Sequence, residues 1–314
     1  MGRGRKVKVG RRQRVKIGRR QKRRSRRIRP KEIQERITEK EFQERHNLLL
    51  VKYLETLRQS EGFDVCSGPH WANPLKVFHC ADGCCDLALL YARMGLHRYN
   101  LLQGTKFQLS RVKKYNRTRM CAIQSYYMTL EAEDDCGSLQ TFQTKIRERV
   151  YRRFNLECTV ARLLGEKTIA VGEGDLDDPK LPELTRENPF VEDGTNRFRL
   201  LKDSELEDND WIRLYLDLAV ATTNRSLAVI KESLTNLKIL KVATESSQGL
   251  GDYDAVFYIE YEDSCEPRVG KDVHRVAIVR RFLDKQSQVL CLRGHNQSIN
   301  KIASMEAGSS SALD

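Results

Sequence analysis

The first thirty residues hold sixteen Lys/Arg and no Asp or Glu, which removes them from any packed core. Adjacent like charges repel, and a handful of Val and Ile cannot offset the entropy of ordering such a segment. The 314-residue chain carries +13 in all and its first thirty residues +16, so residues 31–314 sum to −3. A pI near 9.3 therefore describes a tail on a mildly acidic body, not a basic domain. The tail is patterned. Val7-Lys8-Val9-Gly10-Arg11-Arg12-Gln13-Arg14 recurs as Val15-Lys16-Ile17-Gly18-Arg19-Arg20-Gln21-Lys22, and Lys22-Arg23-Arg24-Ser25-Arg26-Arg27 follows before Pro30.

Such a tail, residues 1–30, is expected to be disordered when free. Phosphate backbones suit it, because each neutralised phosphate releases a condensed counterion. The residues expected to contact nucleic acid or an import receptor are Arg11, Arg12, Arg14, Lys16, Arg19, Arg20, Lys22, Arg23, Arg24, Arg26 and Arg27. The run has no aromatic residue to stack on bases, so contact with RNA or DNA is expected to be non-specific. A nuclear location is the expectation, with cytoplasm the alternative. A solvated tail without a role competes with both, and a transit peptide fits less, since those are Ser-rich and amphipathic.

The remaining length can hold one large or two medium domains. No apolar run approaches the roughly 20 residues that span a bilayer, and no apolar h-region marks a secretory signal, so no membrane partner is expected. Nine Cys without such a signal imply a reducing compartment and mostly free thiols. The densest group is His79-Cys80-Ala81-Asp82-Gly83-Cys84-Cys85, with Cys66 and His70 upstream. Its spacing fits no paired Cys-x-x-Cys pattern, so thiols packed near a helix start are expected rather than zinc.

Apolar periodicity then sets out the elements. Ile33, Ile37, Phe42, Leu49, Leu50, Tyr53, Leu54 and Leu57 recur at three- and four-residue steps, an amphipathic helix over 31–59. Leu87, Leu90, Tyr91, Met94 and Leu101 mark a helix over about 84–102, with Asp82 placed to cap it. Strands are expected at 106–114, 122–132 and 141–149. Residues 165–210 form an acidic connector with fourteen Asp/Glu against six Lys/Arg and Pro179, Pro182 and Pro189. Trp211, Leu214, Tyr215, Leu218 and Ala219 give a second helix, and strands follow at 237–242, 254–262, 274–282 and 288–293. The order helix, strand, strand, strand thus occurs twice, which internal repetition explains.

Ala92-Arg93-Met94-Gly95-Leu96-His97-Arg98-Tyr99-Asn100 resembles the helix signature of plant cystatins, small proteins whose curled sheet wraps one helix. Residues 95–104, 126–132, 209–216 and 275–281 together resemble a plant protein family of cystatin/monellin-like type that carries no established biochemical function. The resemblance covers about 60–298 and implies an α+β fold of two tandem cystatin-like units, one helix packed on a curled antiparallel sheet each. The implied organisation is a basic tail at 1–30, a helix at 31–59, a first unit at 60–164, a connector at 165–210, a second unit at 211–298 and a polar C-terminal tail at 299–314. Inhibitory cystatins present a Gln-x-Val-x-Gly tip and a Pro-Trp tip to a cysteine protease. Here the first tip reads Arg119-Met120-Cys121-Ala122-Ile123, no Pro-Trp pair exists, and Gln248-Gly249-Leu250-Gly251-Asp252 is a degenerate echo. Cysteine-protease inhibition is therefore only the alternative reading.

No Gly-x-Ser-x-Gly, P-loop, Gly-x-Gly-x-x-Gly or His-Glu-x-x-His occurs, and six scattered His form no nucleophile–base–orienter set. His97 is expected to be a structural histidine facing the sheet. The expectation is a non-enzymatic binding or scaffold protein with no catalytic residue, metal or cofactor, and with an unknown protein partner.

Overall fold

Phe154, Leu156, Cys158 and Val160 alternate with Asn155, Glu157 and Thr159, and that period of two lays down a strand on which the whole architecture depends. The computed structural model describes residues 39–65, 74–119, 121–167, 188–191, 197–224, 234–245 and 249–299. Along them run α1 (Glu39–Gln59), β1 (Leu75–His79), α2 (Asp86–Gln103), β2 (Gln108–Thr118), β3 (Ser125–Glu133), β4 (Leu139–Glu148) and β5 (Phe154–Leu163). After the connector come β6 (Arg199–Leu200), α3 (Asp203–Glu207), α4 (Trp211–Thr223), β7 (Leu237–Glu245), β8 (Asp254–Asp263), α5 (Glu266–Val269), β9 (His274–Leu283) and β10 (Leu290–Ser298).

The expected pair of tandem cystatin-like units is overturned. Among the described residues all ten strands join one antiparallel sheet in the order β1-β2-β3-β4-β5-β10-β9-β8-β7-β6. The seam is β5 against β10, in register from Leu290 opposite Cys158 to Gly294 opposite Phe154. Apolar spacing marks the first set of strands only as far as residue 149, so no strand is expected at 154–163 and β10 has no expected neighbour there. In the fold, pairing β5 with β10 satisfies two rows of backbone groups that separate sheets would have left as edges. One apolar core runs across the seam, from Tyr91 and Met94 on α2 and Phe142 on β4 to Leu218 on α4 and Phe257 on β8.

Residues 1–45 and 46–314 form two units. Of the first, the described part is the exposed opening of α1, where Lys40 Nζ lies 4.0 Å from Glu44 Oε1. The basic tail, with Arg11 to Arg27, lies outside the described residues. So do residues 31–38, most of the connector (168–187 and 192–196) and 300–314.

Within the second unit, α2 and α4 pack on one face of the sheet. Tyr91 meets Tyr126 edge-on at 4.9 Å, and Trp211 meets Phe257 at 5.3 Å. On the opposite face Phe63 sits edge-on to Tyr127, and Phe198 edge-on to Tyr258. Two glycines permit close approach. A Cβ on Gly95 would stand 2.5 Å from Thr144 Cγ2, so its absence lets α2 lie tight on β4. A Cβ on Gly294 would stand 1.8 Å from the Ile278 carbonyl oxygen, where β10 presses on β9. Asp82 does not cap α2; the helix begins at Asp86 behind Cys85, which makes no side-chain cap.

Candidate functional site

Two local devices shape the edge of the helical face. At the end of α2, Gly104 takes the left-handed conformation (φ 66°) and its N–H donates to the Asn100 carbonyl at 2.8 Å. Asn100 then fastens the next segment: its Nδ2 donates to the Phe107 carbonyl (2.9 Å), and its Oδ1 accepts from Thr105 Oγ1 (2.9 Å) and Phe107 N–H (3.0 Å). At the start of α4, Asn209 does similar work. Its Nδ2 donates to the Glu205 carbonyl (2.8 Å), and its Oδ1 accepts from Trp211 Nε1 (2.8 Å), fixing the indole.

Trp211 is the centre of a cluster that links α2, α4 and the sheet. His97 stacks on it at 5.3 Å, Tyr215 lies 5.1 Å away, and the Arg281 guanidinium sits 5.0 Å over the ring. Arg281 is fully buried. It donates through Nε to the Asp252 carbonyl (3.1 Å) and through its terminal nitrogen to the carbonyls of Leu250 (2.6 Å) and Asp252. Carbonyl dipoles and the π faces of Trp211 and Phe257 solvate this cation, and no carboxylate pairs with it among the described residues. His97 Nε2 is 2.8 Å from Tyr215 Oη. Burial, and secondarily Arg281, push the His97 pKa down to about 3, so the imidazole is neutral at physiological pH. Burial likewise raises the Tyr215 phenol. His97 therefore faces α4, not the sheet, and the one hydroxyl bonded to it is a phenol held protonated.

Beside this cluster, α2, the α2–β2 connection and the α3–α4 junction line a groove of about 1060 Å³. Its walls carry six carboxylates (Asp86, Asp135, Glu207, Asp208, Asp210 and Asp217) against Arg93, Lys106 and Arg213. Two of the cations are engaged. Arg213 Nε donates to Asp217 Oδ1 at 2.8 Å, and Arg93 lies 3.9 Å from Asp217 and 4.0 Å from Asp210. Burial raises the Asp217 pKa, and the two arginines oppose that shift. Asp86, Asp135, Glu207 and Asp208 have no cation partner among the described residues. The floor is apolar, with Leu90, Leu96, Phe107 and Leu214. An anionic, concave, partly apolar surface attracts cations.

None of the eleven basic residues named from the sequence falls among the described residues. Cys80, Cys84 and Cys85 lie at the junction of β1 and α2, and Cys85 Sγ is 3.4 Å from Tyr115 Oη. Burial raises the Cys80 and Cys84 thiols. Among the described residues no group of three His, Cys, Asp or Glu is placed to hold a metal, and no helix is long and apolar enough to cross a membrane. Of the cystatin-type tips, Cys121 and Ala122 are exposed, while Met120 and Gln248 lie outside the described residues. The Trp211–Arg281 cluster was not anticipated as a site. Its signal lay in three segments quoted for the resemblance, 95–104, 209–216 and 275–281, which supply His97, Trp211, Tyr215 and Arg281.

Residues 181–292 match the family model described as Protein MS5. The chain is 36% identical over 256 residues to the UPF0725 protein EMB2204 of Arabidopsis thaliana, covering 75% of this chain and 77% of that protein. It is 46% identical over 169 residues to the Arabidopsis UPF0725 protein At3g25080, covering 53% of this chain and 95% of that one. Among solved structures, it is similar to the crystal structure of MS5 from Brassica napus, with a TM-score of 0.57 and 28% identity, over 69% of this chain and 99% of that one.

Proposed function

The chain belongs to the UPF0725/MS5 family of plant proteins, and on that premise we propose that it is a non-enzymatic binding protein whose groove between α2 and α4 receives a cationic partner segment. The observation that carries this reading is the groove's charge: six carboxylates face three cations, and two of those cations are already bound to the wall. The neutral His97–Tyr215 pair argues against general base catalysis there, because a base held near pKa 3 accepts no proton at neutral pH.

Binding is tested by hydrogen exchange on the full chain titrated with an Arg/Lys-bearing peptide and with its Gln-substituted counterpart. Protection at 207–211 and 86–93 with the basic peptide alone is the expected result. Equal protection by both peptides, or none at millimolar concentration, would refute it.

The tail serves, in the same reading, nuclear import or non-specific RNA/DNA contact through Arg11 to Arg27. A fluorescent fusion lacking residues 1–30 should lose nuclear accumulation; unchanged accumulation would remove the import role.

A further inference from the structure

The turn joining β4 to β5 sorts its charges by sign. Between residues 147 and 157 the chain carries Arg147, Arg149, Arg152 and Arg153 but only two carboxylates, Glu148 and Glu157, and both carboxylates are buried. Glu148 accepts from Tyr91 Oη at 2.8 Å and from the Gln124 N–H at 3.2 Å. Glu157 lies 3.4 Å from Arg149 and 3.8 Å from Arg293, so it is used inside the sheet and draws Arg149 with it. Arg147, Arg152 and Arg153 remain exposed, with no carboxylate partner among the described residues. At the tip stand Val150, 40% exposed, and Tyr151, 45% exposed, with the Arg152 guanidinium 5.3 Å over the phenol ring. Arg152 itself adopts φ 56°, a left-handed conformation that a glycine would take without strain.

Unpaired planar cations around one exposed ring suit a partner offering both phosphates and π faces. Guanidinium groups bind phosphate in a fork, and a base can extend the Arg152–Tyr151 stack. A duplex keeps its bases covered, so a single strand fits better. An anionic membrane would use the same charges, but only two apolar side chains project, and one is engaged by Arg152. We propose that the β4–β5 turn is a contact site for single-stranded nucleic acid, in which Arg147, Arg152 and Arg153 hold phosphates and Tyr151 stacks on a base. The site lies in the folded body and is independent of the tail.

The test uses the full chain and a 12-nucleotide oligouridylate carrying 4-thiouridine, with oligothymidylate and phosphatidylserine vesicles as further probes. Photo-cross-links to the peptide containing Tyr151 are expected. The triple variant Arg147→Ser, Arg152→Gly, Arg153→Ser should lower the log–log salt slope by about 2, at about 0.7 per phosphate on a single strand. Tyr151→Ala should weaken binding about tenfold with the slope unchanged. Because Arg152→Gly relieves the positive φ, folding is preserved, which near-UV circular dichroism checks. Cross-links confined to residues 1–30 together with unchanged slopes would overturn the proposal and leave the tail reading intact. Loss of vesicle binding in the variants with oligonucleotide binding retained would also overturn it, in favour of a membrane surface.

Discussion

The two flanks of the sheet are held by different chemistry. On the α2 flank aromatic and steric contacts lead: Tyr99, Phe107 and Phe142 meet edge-on at 4.9–6.0 Å, and Gly95 lets the helix rest on Thr144; the buried polar groups there, Arg98 and Glu148, are met by the carbonyls of Gln288 and Ala161 and by the Tyr91 hydroxyl. On the α4 flank the packing is built around Arg–carboxylate pairs and a cation over aromatic rings. Arg281 lies beneath Trp211, Arg268 and Asp263 pair at 2.5 Å with both side chains 1% exposed, and Arg213 grips Asp217 and two backbone carbonyls. The difference teaches that one sheet can position one helix mainly by shape and the other mainly by charge pairs. A shape-fitted helix tolerates changes of polarity better than changes of volume. A charge-fitted one does the reverse.

The comparison breaks first at the seam. Gly294→Val would drive a side chain into the Ile278 carbonyl, and no rotamer can avoid a clash made at Cβ. We expect destabilisation beyond the ~1–3 kcal/mol usual for overpacking, with both flanks lost in one thermal transition. Two separate transitions by calorimetry would mean that the flanks fold independently. Next, Asp263→Ala leaves Arg268 buried without its carboxylate, which should cost ~3–5 kcal/mol in denaturant unfolding. A loss below 1 kcal/mol would show that charge does not organise the α4 flank. Gly95→Ala adds a single methyl against Thr144, and we expect a loss of ~1–3 kcal/mol with α2 displaced from β4.

An effect that shows only in acid, and is absent at neutral pH, sharpens the contact between flanks. His97 has its pKa lowered in the fold to about 3 from the ordinary 6.5. The unfolded chain therefore binds the proton first as pH falls. The His97 contribution is complete above pH 6.5 and is lost progressively from there toward pH 3, by up to ~1.4 kcal/mol per pH unit. His97→Asn should flatten that part of the stability–pH profile. An unchanged profile would place the imidazole in contact with water.

Much of this was legible in the sequence. The helices that begin near residues 84 and 211 stand where apolar spacing places them, and most strands differ only at their ends. What was not legible was the joining of the flanks. Period two is present in Phe154-Asn155-Leu156-Glu157-Cys158, but it follows the run Arg147 to Arg153 and reads as the end of a basic turn. Its meaning depends on β10, whose Arg293 supplies a second cation for Glu157 beside Arg149, and one strand does not reveal its neighbour. The groove was hidden for a similar reason, since its carboxylates come from Asp86, Asp135 and the α3–α4 junction and converge only in the fold. The resemblance marked the right segments, but it implied two closed units where one continuous sheet forms.

The β5–β10 seam also sets a timetable. Cys158 pairs opposite Leu290, some 130 residues later in the chain. At ribosomal rates of roughly 5–20 residues per second, β5 waits about 7–26 s for its partner to be made. Throughout that interval its row of N–H and C=O groups is an open template beside a nascent apolar layer. The molecule is thus most vulnerable to mispairing before β10 leaves the ribosome.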